Sequence, residues 1–69
     1  MQKENKKVIQ LLSVRDVTEM TGLSVFTIYS WVSQKKIPFV KIGSRTLFDS
    51  KDILAWIEAH KVQPEGPGI

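Results

Sequence analysis

At 69 residues the chain has room for one domain, because a fold of this size buries only about 60% of the surface its unfolded chain exposes. Its 42% hydrophobic and 25% charged residues belong to a folding chain rather than a disordered one, and the lack of cysteine excludes a disulfide framework or a Cys-based zinc site. The net charge of +3 is mild, so its bearing on partners lies in where the charges fall.

The opening MQKENKK is polar, carries Lys3, Lys6 and Lys7, and has no periodic apolar residue to hold it against a core. Residues 1–10 are therefore expected to form a flexible basic arm. No secretory apolar stretch follows Met1, and no apolar run approaches the roughly 20 residues of a membrane span, which predicts a cytoplasmic protein with no membrane partner.

Ser13-Val14-Arg15-Asp16 predicts a helix start. The Ser13 hydroxyl can accept from the Asp16 amide, and a carboxylate is stabilised near the positive helix N-terminus. Val14, Val17, Thr18 and Met20 to Thr21 then recur at helical spacing until Gly22, whose freedom at positive φ commonly ends a helix. Ser24 caps a second helix two residues later, with Leu23 filling the space between the two. On a helical wheel Val25, Ile28, Trp31 and Val32 fall on the core side, and Phe26, Ser30, Ser33 and Gln34 on the other.

Pro38 is expected to stop that helix, and Phe39, Val40, Ile42, Leu47 and Phe48 around Gly43-Ser44 predict the two strands of a hairpin. Ser50 is expected to cap a third helix that ends near His60, with Ile53, Leu54, Trp56 and Ile57 as its apolar face. Trp31 and Trp56 align with Ile28 and Ile53, which assigns them to packing rather than base stacking. Residues 62–69, with Pro64, Gly66, Pro67 and Gly68, are expected to be a disordered tail.

The fold class is thus mainly α with a small β-hairpin: a winged helix-turn-helix over residues 11–61, with the hairpin as the wing. Two crossed helices joined by a tight turn can present the second to a major groove. Charge follows the same plan. Residues 24–48 contain Lys35, Lys36, Lys41 and Arg45 and no acid, whereas the segments on either side lean negative, so one end of the fold should be positive.

The opening LLSVRDV, the turn Gly22 to Ser24, the TIYSW element at Thr27 to Trp31 and the hairpin IPFVKIGSRTLF at Ile37 to Phe48 together resemble the excisionase family, which is similar to MerR-like winged domains. The resemblance covers Leu11 to Ile57. It implies that Ser24 to Gln34 form the recognition helix, that residues 43–46 form the wing tip, and that the protein controls excision or transcription by binding double-stranded DNA.

Within that frame Thr27 and Ser30 could hydrogen-bond to base edges or phosphates, and Gln34 could pair bidentately with adenine. Lys35, Lys36, Lys41 and Arg45 suit phosphate contacts, with Ser44 beside them at the turn. Arg45 could instead enter a narrow minor groove. Phe26 has three readings: contact with a thymine methyl, an apolar anchor for a protein partner, or plain packing beside Tyr29 or Ser30. Family members often carry arginine at the positions of Phe26 and Ser30, and here neither residue is charged. That departure removes the commonest guanine contact and turns attention to partners on DNA, either a site-specific recombinase or further copies of the chain.

Nothing in the sequence predicts an enzyme. The single histidine, His60, lies at the end of the third helix, and no triad, P-loop or metal spacing accompanies it. Asp49 and Asp52 flank a helix start, where negative charge is stabilising for local reasons. No cofactor and no small-molecule ligand are expected. The competing reading is a protein-interaction module that keeps the helix-turn-helix fold without strong DNA binding.

Overall fold

The computed structural model describes residues 9–64, in the order β1 (Leu11–Leu12), α1 (Val14–Thr21), α2 (Val25–Ser33), β2 (Val40–Ile42), β3 (Arg45–Asp49) and α3 (Ser50–Ala59). The expected basic arm up to Val8 and the expected tail from Glu65 onward lie outside the described residues.

Helix α1 begins with a reciprocal cap. Asp16 N donates to Ser13 Oγ at 3.1 Å and Ser13 N donates to Asp16 Oδ2 at 2.9 Å, so two amides left orphaned by the helix start are satisfied at once. Leu12, just outside the cap, packs against the core cluster that contains Val17, which fixes the angle at which the chain enters the helix. Gly22 closes α1 with φ 78° and donates to Thr18 O at 2.7 Å, a left-handed cap that only glycine adopts without cost. The turn is further braced by Thr21 Oγ1, which donates to Val17 O and accepts from Leu23 N.

Ser24 caps α2 by accepting from Thr27 N at 3.0 Å, and Leu23 packs on the same core as Ile28. With its caps α2 spans the expected Ser24 to Gln34, and it is stopped by a backbone cap that precedes Pro38. The helix stops at Ser33, and Lys35 takes φ 58°. Lys36 N then donates to Trp31 O and Lys35 N to Val32 O, the paired bonds of a Schellman cap. A lysine therefore occupies the site where glycine is usual, at a cost of about 1–2 kcal/mol for a residue bearing a Cβ. The compensation is tertiary: Trp56 Nε1 on α3 donates to Lys36 O at 3.0 Å and ties the cap down.

Lys35→Gly should therefore raise stability by about 0.5–1 kcal/mol, the strain relieved less the extra unfolded-state entropy of glycine. A thermal melt would show this as a Tm about 3–6 °C higher for a domain of this size. An unchanged or lower Tm would mean that the lysine conformation is not strained.

The expected hairpin forms, with Val40 opposite Leu47 and Ile42 opposite Arg45. Its two-residue turn is Gly43-Ser44, where Gly43 has φ 61°, as a type II′ hairpin requires at its first central position. The sheet holds one strand more than expected, because Leu11–Leu12 pairs with Asp49 and Phe48 to give the antiparallel order β1-β3-β2. Gln10, expected in the arm, is already part of the fold through Ser50 N, which donates to Gln10 O at 2.9 Å.

Helix α3 follows β3 without a loop, and its cap is Asp49 rather than Ser50: Asp49 Oδ1 accepts from Lys51 N at 2.9 Å. Both residue types cap well, and β3 continuing through Asp49 places the start one residue early.

The core consists of Val14, Val17, Ile28, Ile37, Phe48 and Ile53. Trp31, Val32, Phe39, Trp56 and Ile57 are half-buried against it. Trp31 meets Trp56 edge-on at 5.9 Å, which agrees with packing as the role of both indoles. Two residues assigned to the core side by the wheel are exposed instead, Val25 at 47% and Leu54 at 54%. Val25 is the first residue of α2 and Leu54 lies at the edge of the α3 apolar stripe, so neither is covered by a neighbouring helix. Met20 on α1 is exposed as well.

Candidate nucleic-acid interface

The hairpin alternates its side chains between two faces. Phe48 enters the core, so Thr46, two residues earlier, and Lys41, opposite Thr46, lie on the same side but beyond the edge of the apolar cluster. They line an open groove between the wing and α2, closed at its base by the start of α1. Arg15, Tyr29 and Ser33 line it together with Lys41, Ser44 and Arg45. Three cations therefore border one concavity about 650 Å³ in volume, the shape and charge that a phosphate backbone demands.

Lys35 and Lys36 are exposed at the C-terminal end of α2, held there by the Schellman bonds and by Trp56. Their charge lies where the helix dipole is negative, which stabilises them locally as well. Among the described residues an ion pair joins Lys61 to Glu58, away from this group. Arg15, Lys35, Lys36, Lys41 and Arg45 are thus without a carboxylate partner among the described residues.

Two polar side chains of α2, Thr27 and Ser30, accept hydrogen bonds from neighbours on the same helix or its cap. Thr27 is half-buried, and its Oγ1 accepts from Ser24 Oγ at 3.0 Å as part of the N-terminal cap. Ser30, also half-buried, accepts from Gln34 Nε2 at 2.9 Å. Phe26 is the large hydrophobic residue most open to solvent on the helix, at 82%, with Val25 and Tyr29 exposed beside it. The groove thus gathers Lys41, Ser44 and Arg45 from the residues singled out in the sequence. Phe26 stands on the N-terminal part of α2, and Gln34, Lys35 and Lys36 at its far end.

Sequence reasoning missed Arg15 and Tyr29. Arg15 stands in a segment of net negative charge and far along the chain from the basic cluster. The available signal was its position one residue into α1, since in a helix-turn-helix the start of the first helix approaches the backbone that the second one faces.

Residues 11–61 match the family described as helix-turn-helix domain, of the excisionase-like kind. The chain belongs to this family. The match begins at β1 and runs past the end of α3, so every element described above falls inside it, and the three helices with a small antiparallel sheet are a winged helix-turn-helix. No curated protein and no solved structure matches the chain.

An excisionase-like helix-turn-helix domain is a DNA-binding fold, and its partner is DNA. Among the described residues no group of three metal-ligating side chains comes together, and no helix is long and apolar enough to cross a membrane.

Proposed function

We propose that this excisionase-like domain binds double-stranded DNA at specific sequences, as a recombination directionality factor or a small transcriptional regulator, and does no catalysis of its own. Helix α2 lies in the major groove, and the wing tip at residues 43–46 rests on the adjacent backbone or enters the minor groove. The observation that carries the reading is the cation-bordered groove between α2 and the wing, where Arg15, Lys41 and Arg45 converge from three separate elements.

The division of labour follows from chemistry. Arg15, Lys35, Lys36, Lys41 and Arg45 neutralise phosphates and fix orientation, with Ser44 donating to the same backbone. Phe26, Thr27, Ser30 and Gln34 face the bases. For Gln34 to address adenine its amide must leave Ser30 Oγ, an exchange between hydrogen bonds that costs little at an exposed site. A single domain of this size buries little DNA surface, so specificity is completed by further copies or by a site-specific recombinase bound alongside. A DNA partner implies action at the nucleoid, in the cytoplasm.

An amide chemical-shift titration with mixed-sequence duplex tests this. Shifts are expected at Arg15, Thr27, Ser30, Gln34, Lys41 and Arg45, shrinking when salt is raised, while Ile53 and the Trp56 face of α3 stay quiet. Shifts centred on α3, or none with duplex at any salt, would overturn the assignment and favour a protein-interaction module.

A further inference from the structure

We infer that α2 reads its site through the C5-methyl groups of thymine, with Phe26 as the main contact and Val25 and Tyr29 flanking it; the inference rests on the DNA-binding reading above. The sequence of α2, VFTIYSWVS, contains no charged residue, so the arginine or lysine pairing that most often reads guanine has no donor on this helix. Its two half-buried hydroxyls already accept from neighbours, Thr27 from Ser24 and Ser30 from Gln34, and each keeps a single O–H donor for a base edge.

The exposed residues of its first turn and a half are apolar or aromatic. Phe26 is 82% exposed, with Val25 at 47% and Tyr29 at 51%. These residues occupy the first turn and a half of α2, and the N-terminal residues of a recognition helix are the ones that reach base edges. The standard bases offer one apolar group in the major groove, the thymine methyl, and every other feature there is a donor or an acceptor. An apolar helix face bordered by Arg15, Lys41 and Arg45 on one side and Lys35 and Lys36 at its end is complementary to a polyanion that carries methyl groups in its groove. An apolar partner protein would gain nothing from that ring of cations.

Deoxyuridine isolates the contact, since it keeps the pairing and the O4 acceptor of thymidine and lacks only the methyl. Short duplexes enriched by rounds of binding to the intact protein would be synthesised with thymidine or with deoxyuridine, and affinities measured at two salt concentrations. The enriched sites should contain thymine, and each contacted thymine changed to deoxyuridine should weaken binding about fourfold, the worth of one buried methyl-sized group. Phe26→Ser, with an unchanged melt, should bind the two forms equally and keep the salt dependence of the parent.

Equal affinity of the parent for both forms, with salt-dependent binding intact, would overturn methyl reading and leave the DNA-binding reading standing. Discrimination that survives in Phe26→Ser would overturn the role given to Phe26. Absence of salt-dependent duplex binding would overturn both readings together.

Discussion

Phe48→Ala is expected to leave most of the protein unfolded at room temperature. Phe48 is fully buried on β3, which contacts α1, α3 and both other strands. Phe48 belongs to the core cluster with Val14 and Val17 of α1, Ile28 of α2 and Ile53 of α3, so its removal opens a cavity within that cluster. Truncating a buried phenylalanine costs about 3–5 kcal/mol, and a single core below about 80 residues rarely supplies more than 3–5 kcal/mol in total. The two figures are equal, so no stable native state remains.

The variant should show no cooperative thermal transition by circular dichroism. Phe26→Ala, which removes the same ring from an exposed position, should melt within about 0.5 kcal/mol of the parent. A Phe48→Ala variant that still melted cooperatively near the parental Tm would show that the sheet and helices do not depend on this shared core.

The second large effect falls on binding. Lys41 and Arg45 are both exposed, line the groove beside α2, and pair with no carboxylate among the described residues, so changing both to alanine should leave folding within about 0.5 kcal/mol of the parent. Each phosphate no longer neutralised removes about 0.9 from the slope of log affinity against log salt. The double variant should lose about 1.8 in slope, which at 0.1 M salt amounts to a roughly 60-fold loss of affinity. Equilibrium titrations of the two proteins with the same duplex check this. An affinity reduced less than threefold would remove the wing from the interface.

The caps at Ser13, Gly22 and Ser24 and the Gly43 turn were legible in the sequence because each depends on residues within three or four positions of one another. What was not legible depended on distant partners. Leu11–Leu12 is too short for any periodic signal, and it becomes a strand only because Phe48 and Asp49 stand beside it. Lys35 violates the glycine preference of a left-handed cap, and the hydrogen bond that holds it comes from Trp56, twenty positions beyond Lys36. Val25 and Leu54 satisfied the wheel, but a wheel does not state how wide a stripe the neighbouring helices cover.

The site divides in the same way. Lys35, Lys36, Lys41 and Arg45 could be read together because they are close in sequence and no acid intervenes. Arg15 joins them only through the approach of α1 to the wing. The outward placement of Phe26 followed from helical period alone, and the structure adds that, of the large apolar residues on its helix, it is the one most open to solvent.

Everything proposed for this domain depends on duplex DNA binding to the cationic rim around α2. The most direct test of that binding is the affinity of the intact protein for a mixed-sequence duplex measured across a range of salt concentrations. Four phosphate contacts predict a log–log slope of about −3.6, and Arg15 as a fifth brings it to about −4.5. A slope near zero, or no duplex binding at low salt, would rule out the rim as a DNA-binding surface.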